Sequence, residues 1–179
     1  MSQTSKVYSD YENQPYISPE RNLREWEDFP EKFPYAKVER KQMVKVEEGL
    51  FPGDIIMLWR IGFNNFTTES VMPDYFEYRY GINPEESLKR LMDGGFILLG
   101  GVMDTLDLLN APTIKRILKT KGLPVSGKKQ DLVDRLVAHV SEDELSSLIP
   151  LRRYVATPSG LHILAKYDDV IQSHGPKKM

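Results

Sequence analysis

The stretch from Asn110 to Val140 leaves the fewest ways to fold. It reads N-A-P-T-I-K-R-I-L-K-T-K-G-L-P-V-S-G-K-K-Q-D-L-V-D-R-L-V-A-H-V. Asn110 is placed to cap a helix, with Pro112 in the first turn, where a missing N–H costs nothing. Ile114, Ile117 and Leu118 recur at i, i+3 and i+4 and make one apolar stripe, and Gly122 stands where a left-handed residue closes a helix. Leu123 to Gly127 reads as a short turn. A second helix follows, expected to bury Leu132, Val133, Leu136, Val137 and Val140, so the segment is a helix–turn–helix hairpin.

The hairpin resembles the SAP motif, the helix–extended–helix module of DNA-binding and chromatin-associated proteins. The likeness spans residues from about 108 to 140 and rests on Ile114 and Leu118, the Gly122-Leu123-Pro124 turn, Ser126-Gly127-Lys128-Lys129, and Leu132 with Leu136-Val137. Pro112 and the lead-in Leu106-Asp-Leu-Leu109 depart from the pattern, which bears on where the first helix starts. The resemblance implies a nucleic-acid partner, duplex DNA first, and the order of the whole chain is similar to bacterial and phage proteins with an internal SAP motif.

Local charge agrees with that implication, although the whole-chain figure does not. Over 179 residues the formal charge is −2, which taken alone argues against a polyanion as partner. Between Ala111 and Val140, however, seven cations face only Asp131 and Asp134, a net +5, while the first 110 residues carry −7. A basic island in an acidic chain is an electrostatic footprint.

Within the island, Gly127 and the N–H groups opening the second helix, flanked by Ser126, Lys128 and Lys129, form a cradle suited to a phosphate. Lys115 and Lys119 lie one turn apart on the first helix and suit successive phosphates of one strand. Lys121 and Arg135 complete the nucleic-acid-binding set, with Arg152 and Arg153 as auxiliary positions. Five or six phosphate contacts give a salt slope of about −5. The plainer reading is a solvated helix face, with Arg135 taken up by Asp131 at i, i+4.

The remainder reads as mainly α with short strands, an α+β body. Residues 1–36 mix Pro, polar groups and scattered aromatics without periodicity, an extended arm part of which is expected to pack on the body or on a partner. Residues 37–104 form a helical region. There Asp54 is expected to cap a buried helix over Ile55 to Ile61, with a buried strand as the competing reading, Asn83-Pro84 opens a helix with Leu88, Leu91 and Met92 on one face, and 96–99 is a short strand. The hairpin is bounded at 105–140. Residues 141–175 start with the capping box Ser141-x-x-Glu144 on a helix ended by Pro150, continue as a strand over 151–156, and end in a helix from Thr157-Pro158 that buries Leu161, Leu164, Ala165 and Ile171. This strand–helix and the helix–strand before the hairpin are similar to winged-helix flanks. Residues 176–179 are a basic tail. Arm and one compact body account for the length.

Zero cysteines exclude disulfides, thiolate metal sites and cysteine nucleophiles. The longest apolar run, Ile55 to Trp59, is far short of a membrane span. His139, His162 and His174 stand apart with no metal-ligand spacing, and neither a nucleophile elbow nor a phosphate-binding glycine loop is present. The expectation is a non-enzymatic, cytoplasmic DNA-binding protein without cofactor. The alternative is a protein-interaction adaptor or phage-encoded inhibitor that works through the acidic, aromatic-rich N-terminal half.

Overall fold

A computed structural model describes residues 8–19 and 37–175. The rest of the arm, with Trp26, Phe29, Phe33 and Tyr35, and the 176–179 tail lie outside the described residues. In chain order the elements are the 3-10 turn η1 (Arg40–Met43), α1 (Pro52–Ile61), α2 (Tyr75–Tyr78), α3 (Pro84–Asp93), β1 (Ile97–Leu99), η2 (Leu106–Leu108), α4 (Ala111–Thr120), α5 (Lys129–His139), α6 (Glu142–Leu148), β2 (Tyr154–Ala156), α7 (Pro158–Lys166) and α8 (Asp168–His174). The two strands pair as one antiparallel sheet. The architecture is mainly α with short strands, and the chain divides into two compact units, where its length had suggested one body. Among the described residues, one unit holds 8–19, 37–63, 71–98 and 156–175; the other holds 64–70 and 99–155.

The first unit is built around α1. Ile55, Ile56, Met57, Leu58 and Ile61 are all fully buried, and α3, α7, α8 and η1 pack on this helix. A helix whose apolar residues are buried in succession from Ile55 to Leu58 is central by necessity. It starts earlier than expected. Pro52 occupies the first turn, Phe51 is the cap residue, and Asp54 sits inside the first turn with its carboxylate accepting the Phe51 N–H at 2.8 Å. The proline ring sets the helical φ two residues before Asp54.

Asp54 does more than cap. It is fully buried, accepts from Ser87 Oγ at 2.6 Å, and is gripped by Arg90 through Nε and Nη2, each at 3.0 Å. A buried carboxylate is tolerated when paired and bonded this completely. These bonds fix the face that α3 presents: Ser87 and Leu91 are buried, while Met92, expected inside, is exposed.

The α7 face also differs from expectation. Leu161 is 54% exposed and Ala165 is exposed, whereas Gly160 and Ile163 are buried. The cause is close backbone contact. A Cβ on Gly160 would lie 2.2 Å from the Phe96 carbonyl oxygen and 3.1 Å from Leu58, so the helix docks on its glycine and rotates Leu161 outward. The run expected as one helix breaks at Tyr167 into α7 and α8. At its end His174 is buried among Trp59, Tyr75 and Tyr80, with its Nδ1 2.5 Å from Tyr80 Oη. Burial pushes the Tyr80 phenol up to about 12.

The described part of the arm packs on this unit. Tyr8 is fully buried and its hydroxyl accepts the Val38 N–H at 3.2 Å, Asn13 Nδ2 donates to Met43 O at 2.9 Å, and Tyr16 N donates to Gly81 O at 2.8 Å.

Candidate nucleic-acid interface

The second unit carries the basic island on a core of its own. Ile114, Ile117 and Leu118 of α4 and Leu132, Leu136 and Val140 of α5 and its cap meet Val102, Leu106, Leu145 and Ile149. Val133 is only partly buried, and Val137, expected in this core, is 46% exposed.

Helix α4 forms as its residues dictate. The Asn110 side chain accepts the Thr113 N–H at 2.9 Å, and Pro112 sits in the first turn. At the other end Gly122 takes φ 68°, Leu123 N donates to Leu118 O at 2.9 Å, and Gly122 N donates to Lys119 O at 3.0 Å. That pair of bonds is a Schellman closure, which needs a residue that tolerates left-handed backbone. From Lys121 to Lys128 the chain is not helical, and α5 then opens close to η2, since Lys129 Nζ donates to the Asp107 carbonyl at 2.6 Å. Because η2 leads directly into α4, the link returns the chain toward the end at which α4 began.

The expected phosphate cradle at the start of α5 is already occupied by the chain itself. Lys128 N donates to the Asp131 carboxylate at 3.0 Å, and Gly127, at φ 124°, has that side chain against its open side, 3.1 Å from where a Cβ would stand. Asp131 therefore caps its own helix and is not the partner of Arg135. The pattern hid this because Lys128 is not a residue that announces a cap.

The cations fall into two groups. Lys121 pairs with Glu144, Lys129 reaches the Asp107 carbonyl, and Arg135 Nη1 donates to Pro124 O at 2.8 Å and Ser126 O at 3.0 Å. Arg152 spans the end of α6, donating to Ile149, Leu151 and Ser146 carbonyls. Arg153 donates to Asp104 O and the Asp107 carboxylate at 2.6 Å. These five side chains serve the fold. Lys115, Lys119 and Lys128 are exposed and make no ion pair or side-chain hydrogen bond among the described residues, and Arg116 stands with them. Ser126 and Gly127 are exposed in the link.

Sequence reasoning counted Arg116 as charge and left it out of the site. Its signal was available in the spacing, three residues before Lys119 and three after Thr113, on one face of α4. Arg116 and Thr113 line an open cleft of about 330 Å³ beside α4.

Among the described residues, no group of three or more His, Asp or Glu side chains is placed to hold a metal ion, and no helix is long and apolar enough to cross a membrane. Residues 105–141 match the family model of the SAP domain, which assigns this segment to a class of nucleic-acid-binding modules. The chain matches no curated protein.

Proposed function

We propose that the protein binds duplex DNA without catalysis, through the SAP segment and with little sequence preference. One observation carries the reading: Lys115, Arg116, Lys119 and Lys128 are exposed and unengaged among the described residues of a segment whose other cations serve its own fold. Unpaired surface cations cost nothing to desolvate from a prior partner, so each is available to displace a counterion from a phosphate. Four such contacts correspond to a salt slope of about −4, shallower than the −5 expected from the residue count alone. Contacts from such cations to phosphates position the backbone and discriminate weakly between sequences. A bacterial or infected-cell cytoplasm is the setting this reading carries with it.

Anisotropy titrations of the full chain against random-sequence duplex DNA at several salt concentrations test it. Binding at low salt that weakens with a slope near −4, and that is lost when Lys115, Lys119 and Lys128 are changed together to Glu, supports the reading. No binding at low salt, or unchanged binding by that triple variant, removes it.

A further inference from the structure

The cleft beside α4 has a chemistry that backbone binding does not use. Its volume of about 330 Å³ is that of a small ligand site. Leu108, Leu148, Ile149, Pro150 and Leu151 line it, yet so do Asn110, Thr113, Arg116 and Glu69, and both charged groups belong to the same unit. Arg116 and Glu69 form no ion pair with each other or with any described residue. A purely aliphatic occupant would give Arg116 and Glu69 no partner, and an acidic one would meet Glu69.

A nucleobase satisfies both halves of the lining. Its faces are apolar and rest on aliphatic side chains, its edge carries amino donors for a carboxylate, and its own phosphate lies a bond or two away, within reach of a rim guanidinium. Arg116 also lies on the α4 face that continues to Lys119, so a strand tracked by those cations passes the mouth of the cleft. A base inside a continuous duplex cannot enter without being unstacked, whereas a single-stranded tail offers its bases at little cost.

We propose that this cleft receives an unpaired nucleobase, so that the protein prefers duplex ends carrying single-stranded tails over continuous duplex. The proposal rests on the nucleic-acid reading above and adds a ligand class and a site to it.

Three fluorescent probes separate the two in full-length protein at low salt: a blunt duplex, the same duplex with a single-stranded tail, and that tailed duplex with an abasic tail of equal charge. The expected result is binding to all three, with the normal tail about fivefold tighter than the abasic one, since the base face rests on aliphatic side chains only. Leu148→Glu, at an exposed position of the cleft wall, should erase that preference and, standing in the cleft that Arg116 lines, lower blunt-duplex affinity by no more than Arg116→Ala does. Leu161→Glu, at an exposed leucine that does not line the cleft, controls for the added charge and should keep the preference. Equal affinity for normal and abasic tails overturns the base site while leaving backbone binding intact, as does a preference that survives Leu148→Glu or is lost equally in Leu161→Glu. Failure of all three probes to bind overturns the nucleic-acid reading itself.

Discussion

Arg135 holds Pro124: its Nη1 donates to the Pro124 carbonyl at 2.8 Å and, through the same nitrogen, to Ser126 at 3.0 Å. A side chain that charge arithmetic assigns to phosphate is spent on fixing the link between α4 and α5. Arg135→Ala should therefore lower stability by about 1–3 kcal/mol, the usual worth of hydrogen bonds to a charged donor. Urea unfolding measures this. The salt slope of DNA binding should stay the same, because no counterion-releasing contact is removed; a slope that falls by about one would return Arg135 to the interface.

Single alanine substitutions at Lys115, Arg116, Lys119 and Lys128 should each reduce the salt slope by about 0.9 with little change in melting temperature. Lys129→Ala and Arg152→Ala should do the opposite, since their partners are backbone carbonyls of η2 and α6. Titrations in a salt series paired with thermal melts distinguish the two groups.

Asp54→Ala leaves Arg90 and Ser87 facing an apolar void and frees the Phe51 N–H at the start of α1. A loss of about 3 kcal/mol is expected, at the low end for a broken buried pair because Arg90 retains some solvent access. Double substitution of Asp54 and Arg90 by apolar residues should recover part of it, and denaturant melts of the three variants give the coupling.

Much of the fold was legible because its punctuation is local. Asn83-Pro84, Asn110 with Pro112, Ser141 and Thr157-Pro158 each cap the helix they stand before, and each acts within three residues of itself. The misjudged faces share another origin. Met92 and Leu161 were placed inside by periodicity, but the rotation of α3 is set by Asp54, at a sequence separation of 33 from Ser87, and that of α7 by the Phe96 carbonyl. Contacts so distant in sequence leave no periodic trace. In the site, the sequence shows the cations only as a group, and which of them are unengaged depends on carbonyls of the link, of η2 and of the α6 terminus, positions that spacing does not reveal.

Gly160→Ala places a methyl group 2.2 Å from the Phe96 oxygen. The helix must move off α1, at a cost of about 3 kcal/mol. Leu161→Ala next door should be nearly neutral, within about 0.5 kcal/mol, because that side chain faces solvent. The reverse order of effects in thermal melts would restore the stripe that periodicity assigned.

At high pH, Tyr80 should dominate unfolding. Its phenol is held protonated up to about 12 in the folded chain by burial, whereas an exposed phenol ionises near 10. The raised value means that stability is fully present below pH 10 and is lost as pH rises toward 12, by about 2–3 kcal/mol across that interval. Tyr80→Phe should flatten this limb of the stability curve, even though it gives up the bond to His174. An unchanged slope between pH 10 and 12 would sink the assignment.

The backbone on either side of the SAP-bearing segment closes on itself. Gly100 N donates to Arg153 O at 2.7 Å, and outside that rung Thr157 N donates to Phe96 O at 3.0 Å. More than fifty residues thus leave and rejoin the chain at nearly the same point. Such a segment is closed at its base, and the one other stretch its unit takes from the chain is 64–70, bonded to it where Thr68 N donates to Arg152 O at 2.9 Å; its loop-closure entropy changes only slowly with length. The SAP-bearing module is thus nearly one continuous piece of chain, with the ladder at its base as the closing point.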